Sequence, residues 1–209
     1  MNKISNTILD DYEIIEHFGI KYCFSKTSKG SSEKSIANSG RWENRQSESW
    51  KGVVEKDMIV VDGGSQTGYY AFLAAKKMEN TGIVYAFEPY YKHFTRLMIA
   101  TFINGFKNVI PLCLGLSDLQ HSTPPGRTYP PWSKYRVIAL DEIIKDRLDL
   151  IKLDIQGAER YAIPGMINLL RNNPQMKLFI SWHSGAKGVC TKILNKEGFT
   201  NIGPYWEKK

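Results

Sequence analysis

From Asp57 onward the chain alternates short runs of branched aliphatic residues with longer stretches in which apolar residues recur every three to four positions. Strands that alternate with amphipathic helices leave this pattern. It predicts strands over 58–62 (MIVVD), 82–88 (GIVYAFE), 108–117 (NVIPLCLGLS), 148–154 (LDLIKLD), 176–183 (MKLFISWH) and 199–206 (FTNIGPYW). Helices are predicted between them, over 69–79, 91–105, 139–146, 158–173 and 185–198. Strands this apolar need cover on both faces, as central parallel strands do. No internal repeat is visible.

Before Asp57 the pattern differs. Residues 12–24 (YEIIEHFGIKYCF) hold two short β-prone pieces around Phe18-Gly19, which fits a hairpin or a short opening helix. Residues 25–49 are rich in Ser, Lys and Asn, offer little to a core, and read as a loop or mobile cover. A second irregular segment, 118–136, carries four prolines and three aromatic rings, which exclude regular structure over much of its length. It reads as a rigid surface excursion or as a wall or lid beside a pocket.

At 209 residues the chain can bury one sizeable core. The expected organisation is an N-terminal extension over 1–56, able to cover a pocket, and one α/β domain over 57–209. Composition is that of an ordinary globular protein, with 42% hydrophobic and 23% charged residues. The net charge of +7 would favour an anionic partner, yet the basic residues are scattered, so a nucleic-acid groove is not favoured. Cys23, Cys113 and Cys190 form no CxxC pair, and His17, His93, His121 and His183 share no ligand spacing, so neither a disulfide framework nor a metal site is expected. No basic-then-apolar leader opens the chain and no apolar run is long enough to cross a bilayer, so a cytoplasmic protein is expected.

The chemistry concentrates where the first strand of the domain meets glycine, in IVVDGGSQTGYY (59–70). A strand, a glycine turn and a helix place backbone N–H groups at a positive helix end. The spacing here, Asp62-x-Gly64-x-x-x-Gly68, is not the G-x-G-x-x-G of dinucleotide sites, and Asp62 would repel a pyrophosphate. It suits a ligand with a positive charge, such as the amino-acid end of S-adenosylmethionine. Glu88 closes the next strand, 20 residues beyond Gly68, where a carboxylate can accept both ribose hydroxyls of an adenosine.

These residues and three further stretches resemble one family. VVDGGSQTGYY, YAFEPYYKHFTRL with Asn104 and Asn108-Val109, ALDEI (139–143) and DLIKLDIQGAERYAIPG (149–165) are similar to the FkbM family of S-adenosylmethionine-dependent methyltransferases over roughly residues 57–183. The resemblance implies a Rossmann-like class I methyltransferase fold: a three-layer sandwich around a mostly parallel sheet. It implies S-adenosylmethionine as cofactor, S-adenosylhomocysteine as product, and O-methylation of a hydroxyl on a sugar, glycan or small metabolite. Carried onto this sequence, the cofactor residues are Asp62, Gly64, Gly68 and Glu88, with Asp118 for the adenine amino group and Ser117 closing that end. Asp154 ends the fourth strand, where the methyl group and acceptor meet, and His183 ends the fifth; either is a candidate to take the acceptor's proton. Gln156, Glu159, Trp132 and Trp182 are candidate acceptor contacts, and Tyr129 and Trp42 could also wall the acceptor pocket.

Three positions depart from the family. Gln156 stands where its E-G-A-E motif has a carboxylate, leaving hydrogen bonding but no acid/base role. Ser181 replaces the acid of a Glu-x-His pair, although His183 matches. The chain stops at Lys209, so the closing antiparallel strand is expected to be missing, shortened or displaced. Two other functions compete with small-molecule O-methylation: an RNA or protein methyltransferase, and a catalytically silent binding module. The glycine spacing makes an NAD-dependent dehydrogenase the weakest alternative.

Overall fold

The computed structural model describes residues 11–27, 29–118, 135–183 and 185–208. The described residues open with a hairpin of β1 (Tyr12–His17) and β2 (Ile20–Ser25), as one of the two expectations has it. Phe18 and Gly19 both take left-handed backbone, φ 52° and 67°. Two such residues make the tight turn whose twist matches antiparallel strands.

The polar segment 25–49 is where the structure departs most from the pattern. It forms α1 (Ser31–Ser39) and the start of α2 (Asn44–Val53). A few anchors replace a continuous apolar stripe. Ile36 and Trp50 are fully buried. The Trp50 indole donates to the Tyr70 carbonyl at 3.2 Å and meets the Tyr70 and Phe179 rings edge-on. Glu33 is also buried because Arg96 pairs with it at 2.8 Å. Charges that belong to the core through pairing are invisible to a hydrophobicity pattern.

The strand–helix alternation follows as expected: β3 (Ile59–Gly63), α3 (Tyr69–Lys77), β4 (Ile83–Phe87), α4 (Tyr91–Asn104) and β5 (Val109–Leu112). The predicted strand 108–117 is broken after Leu112. Its end is a separate short strand, β6 (Gly115–Leu116), which pairs in parallel with β7 (Val137–Ile138). One helical turn, α5 (Leu140–Ile143), leads to β8 (Leu150–Leu153). The predicted helix 158–173 is divided into α6 (Glu159–Ala162), a 3-10 turn at Pro164–Met166 and α7 (Ile167–Asn172). Pro164 has no N–H to continue the first of these. β9 (Lys177–Ile180), α8 (Ala186–Lys196), β10 (Phe199–Asn201) and β11 (Trp206–Lys208) complete the described chain.

Seven strands form one sheet in the order β10-β11-β9-β8-β3-β4-β5. β3, β4, β5, β8 and β9 are parallel, and β11 runs antiparallel between β9 and β10. The closing antiparallel strand, expected to be missing, shortened or displaced, is therefore present in its place and short, at three residues. The predicted strand 199–206 is in fact a hairpin, because Gly203 and Pro204 turn the chain between two three-residue strands. Alternate strand residues feed two cores: Val60, Leu150 and Phe179 on the side of α3, α4 and the N-terminal elements, and Val61, Ile151 and Leu178 on the side of α5–α8. The outcome is a three-layer α/β sandwich. The chain leaves β3 toward β4 on one side and later places β8 on the other, so a crevice opens at the carboxyl ends of β3, β4 and β8. Among the described residues no helix is long and apolar enough to cross a membrane.

Candidate active site

The turn after β3 is shaped by backbone geometry that few residues adopt. Gly64 has φ 83°, Gln66 φ 50° and Gly68 φ 89°. A Cβ on Gly64 would lie 2.1 Å from the Asp154 carbonyl, so glycine there lets this turn abut the end of β8. A Cβ on Gly68 would strike the Phe72 ring at 2.5 Å, so that glycine answers to packing within the protein. The N–H groups of Gly64 and Ser65 donate to the Phe87 carbonyl at 2.9 and 3.0 Å, joining the turn to the end of β4.

A cavity of about 700 Å³ opens over this junction. That lies within the roughly 300–1,000 Å³ typical of ligand pockets. One end is walled by Phe87, Glu88, Tyr90, Leu116, Ser117 and Val137. Glu88 is 6% exposed, with Oε2 accepting the Gln66 N–H at 2.9 Å and Oε1 accepting the Tyr90 N–H at 2.8 Å. Burial pushes its carboxyl up to about 7, against the pull of those two N–H donors. Asp62 sits deeper and its Oδ2 accepts the Ala71 N–H at 3.0 Å. Burial raises it to about 6, with Lys152 opposing. His93, 3.9 Å from Glu88, is pushed down to about 4 by burial and by Arg96. The roof comes from the N-terminal segment: Gly30, Ser31, Ser32, Ile36 and Trp42 line the cavity, and Ser32 donates to the Gln66 side chain at 2.9 Å.

At the other end Asp154 and Gln156 reach the wall from the turn after β8. Gln156 has φ 56°, a left-handed backbone that non-glycine residues keep mostly where surroundings enforce it. Asp154 Oδ1 faces His183 Nε2 at 2.9 Å and the Gln156 amide at 3.3 Å, while Oδ2 faces Lys152 Nζ at 3.3 Å. Burial alone would raise the Asp154 carboxyl. The Lys152 ammonium and His183 outweigh it and hold the group below the usual carboxylate range.

The structure thus brings Asp62, Gly64, Glu88, Ser117, Asp154 and Gln156 to one cavity. Gly68, Asp118, His183, Trp182 and Glu159 are not on its wall. His183 nevertheless reaches the site through Asp154. Trp182 packs edge-on to Trp206 at 6.2 Å. Glu159 is fully buried, accepts the Ile155 N–H at 3.1 Å and so braces the turn from beneath. Trp132, Tyr129 and His121 lie outside the described residues, as does most of the 118–136 segment. Sequence reasoning gave no role to Lys152, Glu43 or Tyr70. The signal for Lys152 was present: it is the one charge within the apolar strand LIKL.

The methyltransferase FkbM domain family matches residues 57–199. No curated protein sequence matches the chain. Among solved structures, an FkbM methyltransferase from Methylobacillus flagellatus superposes with a TM-score of 0.55 at 20% identity, covering 74% of this chain and 45% of that one. A SAM-dependent O-methyltransferase from Thermotoga maritima gives 0.55 at 16% identity, covering 95% of this chain and 68% of that one. M. jannaschii TYW2 in complex with AdoMet gives 0.57 at 12% identity, covering 94% and 82%. Identities this low show a shared fold, and the sheet order and crevice described above are what is shared. The family match spans more than half of the chain and takes in the turn at Asp62–Gly68, Glu88 and the Asp154–Glu159 segment, so this protein belongs to the FkbM methyltransferase family.

Proposed function

We propose that this protein methylates a hydroxyl on a sugar, glycan or small metabolite, using S-adenosylmethionine, with His183 as proton acceptor. The observation that carries the reading is the Asp154–His183 contact of 2.9 Å at the edge of the cavity that also holds Glu88.

The cavity wall fits the cofactor chemically. Each Glu88 oxygen accepts one backbone N–H and keeps a lone pair for a ribose hydroxyl. Thr67 Oγ1 is buried beside the cavity with no hydrogen-bond partner among the described residues. Leu116 and Ser117 would flank the adenine, with Asp118 next in the chain, and Asp62 with the turn through Gly64 and Gly68 would hold the amino-acid end. When bound, S-adenosylmethionine would supply an electrophilic methyl group on a positively charged sulfur.

The residues at the other end then divide the work. Lys152 keeps Asp154 ionised, which makes Asp154 a weak base but a good partner for an imidazolium. With Nε2–H directed at Asp154, His183 Nδ1 carries the lone pair that takes the proton of the acceptor hydroxyl as its oxygen receives the methyl group. Gln156 steadies Asp154 by donating from its amide to Oδ1. Residues 1–56 are read as an extension that completes the cavity of the 57–209 domain, supported by Ser31, Ser32 and Trp42 on its wall. A reducing cytoplasm suits the three free thiols. An RNA acceptor is the second reading, motivated by the net charge of +7.

Calorimetry is expected to show binding of S-adenosylmethionine and none of NAD. Transfer of labelled methyl to a panel of hydroxylated sugars and metabolites should then fall about 10²–10⁴-fold in His183→Ala. Full transfer by that variant would refute the proton route; labelled RNA in place of labelled metabolites would favour the second reading.

A further inference from the structure

Strand β8 carries a lysine in its middle, where the fold calls for an apolar residue. Lys152 is 1% exposed and lies on the same strand face as Leu150, toward the layer that holds Trp50 and Tyr70. A buried ammonium is costly unless it is paired and hydrogen-bonded. Here the pairing is spread over several chain segments. Nζ lies 3.0 Å from Ser181 Oγ, 3.3 Å from Asp154 Oδ2 and 3.9 Å from Glu43 Oε2, and 4.7 Å above the Tyr70 ring. In the sheet Lys152 is also the register neighbour of Asp62.

Glu43 is itself held in place. The Tyr70 hydroxyl donates to its Oε2 at 2.7 Å, and its backbone is left-handed at φ 48°, which costs a non-glycine residue energy. A lysine kept only to fill space would need neither this strained carboxylate nor a position on the cavity wall.

We infer that Lys152 is the positioning residue of the methyl-transfer site: it holds the Asp154 carboxylate turned so that Oδ1 meets His183, and it shares its charge with Glu43 of the N-terminal segment. This inference rests on the reading of Asp154 and His183 given above. Occupying Oδ2 with Lys152 leaves Oδ1 to the imidazole and to Gln156, which fixes both the rotation of the carboxylate and the tautomer of the ring. The charged groups around Asp154 are Lys152 on β8, Asp62 on β3 and His183 after β9; Glu43, ahead of α2, reaches the cluster through Lys152, and Glu159 of α6 interacts with His183. Ser181 accepts a hydrogen bond from Lys152 at 3.0 Å and, being neutral, adds no negative charge to this cluster.

The test needs no acceptor. The Asp154 carboxyl carbon is followed by ¹³C NMR against pH in the full chain, assigned by its loss in Asp154→Asn. Lys152→Met is expected to raise the midpoint by about one pH unit or more, because burial then has only His183 against it. Lys152→Arg, which keeps the charge, should bring it back toward wild type. Glu43→Gln removes a negative charge at a partly exposed position and should lower the midpoint by a few tenths of a unit, which remains measurable if Lys152→Met fails to fold. An unchanged midpoint in Lys152→Met, or an unchanged or raised one in Glu43→Gln, overturns the inference. A midpoint that responds as expected while His183→Ala retains full transfer would instead sink the proton route and leave the Lys152 contact standing.

Discussion

Glu88→Gln separates what the cofactor site costs the fold from what it contributes to binding. In the apoprotein the Glu88 carboxyl is raised from 4.5 to about 7, chiefly by burial. A carboxyl raised in this way contributes stability below its unfolded value and loses it as pH climbs through the folded one. Between pH 5 and pH 8 the loss from this group is roughly 2–3 kcal/mol. Glutamine does not ionise, so the variant should lack this part of the pH dependence. It also has a drawback: both Glu88 oxygens accept backbone N–H groups, and the amide NH₂ must face one of them, an unmet donor costing about 1–3 kcal/mol at every pH. Urea unfolding at pH 5, 6, 7 and 8 should thus find Glu88→Gln less stable than wild type in acid, with the gap closing by roughly 2–3 kcal/mol toward pH 8. Binding should move the other way. Each hydrogen bond from a ribose hydroxyl to an ionised Glu88 is worth roughly 1.5–3 kcal/mol, so the variant should bind S-adenosylmethionine at least about tenfold more weakly at pH 8. Parallel stability profiles for the two proteins would refute the premise that Glu88 is buried and proton-bound before the cofactor arrives.

Other expectations concern the N-terminal segment and the chemistry. Trp50→Ala should cost about 3–5 kcal/mol in urea unfolding, because the emptied space lies between Tyr70 and Phe179; a loss under ~1 kcal/mol would mean that α2 does not pack as described. Arg96→Met strands Glu33 as a buried charge and should cost about 3–5 kcal/mol, with Glu33→Gln added on top recovering part of it; additive losses would show that the two do not pair. Methyl transfer should persist in excess EDTA, since His183 and Asp154 supply the proton route; activity abolished by chelation and restored by magnesium would show that a metal takes part.

Much of the αβ alternation could be read from hydrophobic periodicity, as could the turn at Asp62–Gly68 with its partner Glu88. Those signals are local: a strand, a helix or a glycine turn announces itself within a few residues. The N-terminal segment could not be read this way. Its helices rest on Ile36, Trp50 and the Glu33–Arg96 pair, and nothing near Glu33 in sequence reveals that its partner lies on α4. The C-terminal strand pair was misread for a similar reason. Residues 199–206 look like one strand until Gly203 and Pro204 are seen to turn the chain back, and only pairing with β9 decides that β11 belongs in the sheet.

The site divides along the same line. Which residue types were available was settled by the sequence alone: Asp62 and Glu88 at strand ends, Asp154 and Gln156 after β8, His183 after β9. Which of them meet was settled only when β3, β4, β8 and β9 lay side by side. Their register sets Lys152 beside Asp62, and the N-terminal segment brings Glu43 to 3.9 Å from Lys152. Periodicity encodes which face a side chain points to, whereas burial, pairing and proton affinity arise between segments distant in the chain. That is why Lys152 drew no role from the sequence and became, in the folded protein, the cation shared by Asp154 and Glu43.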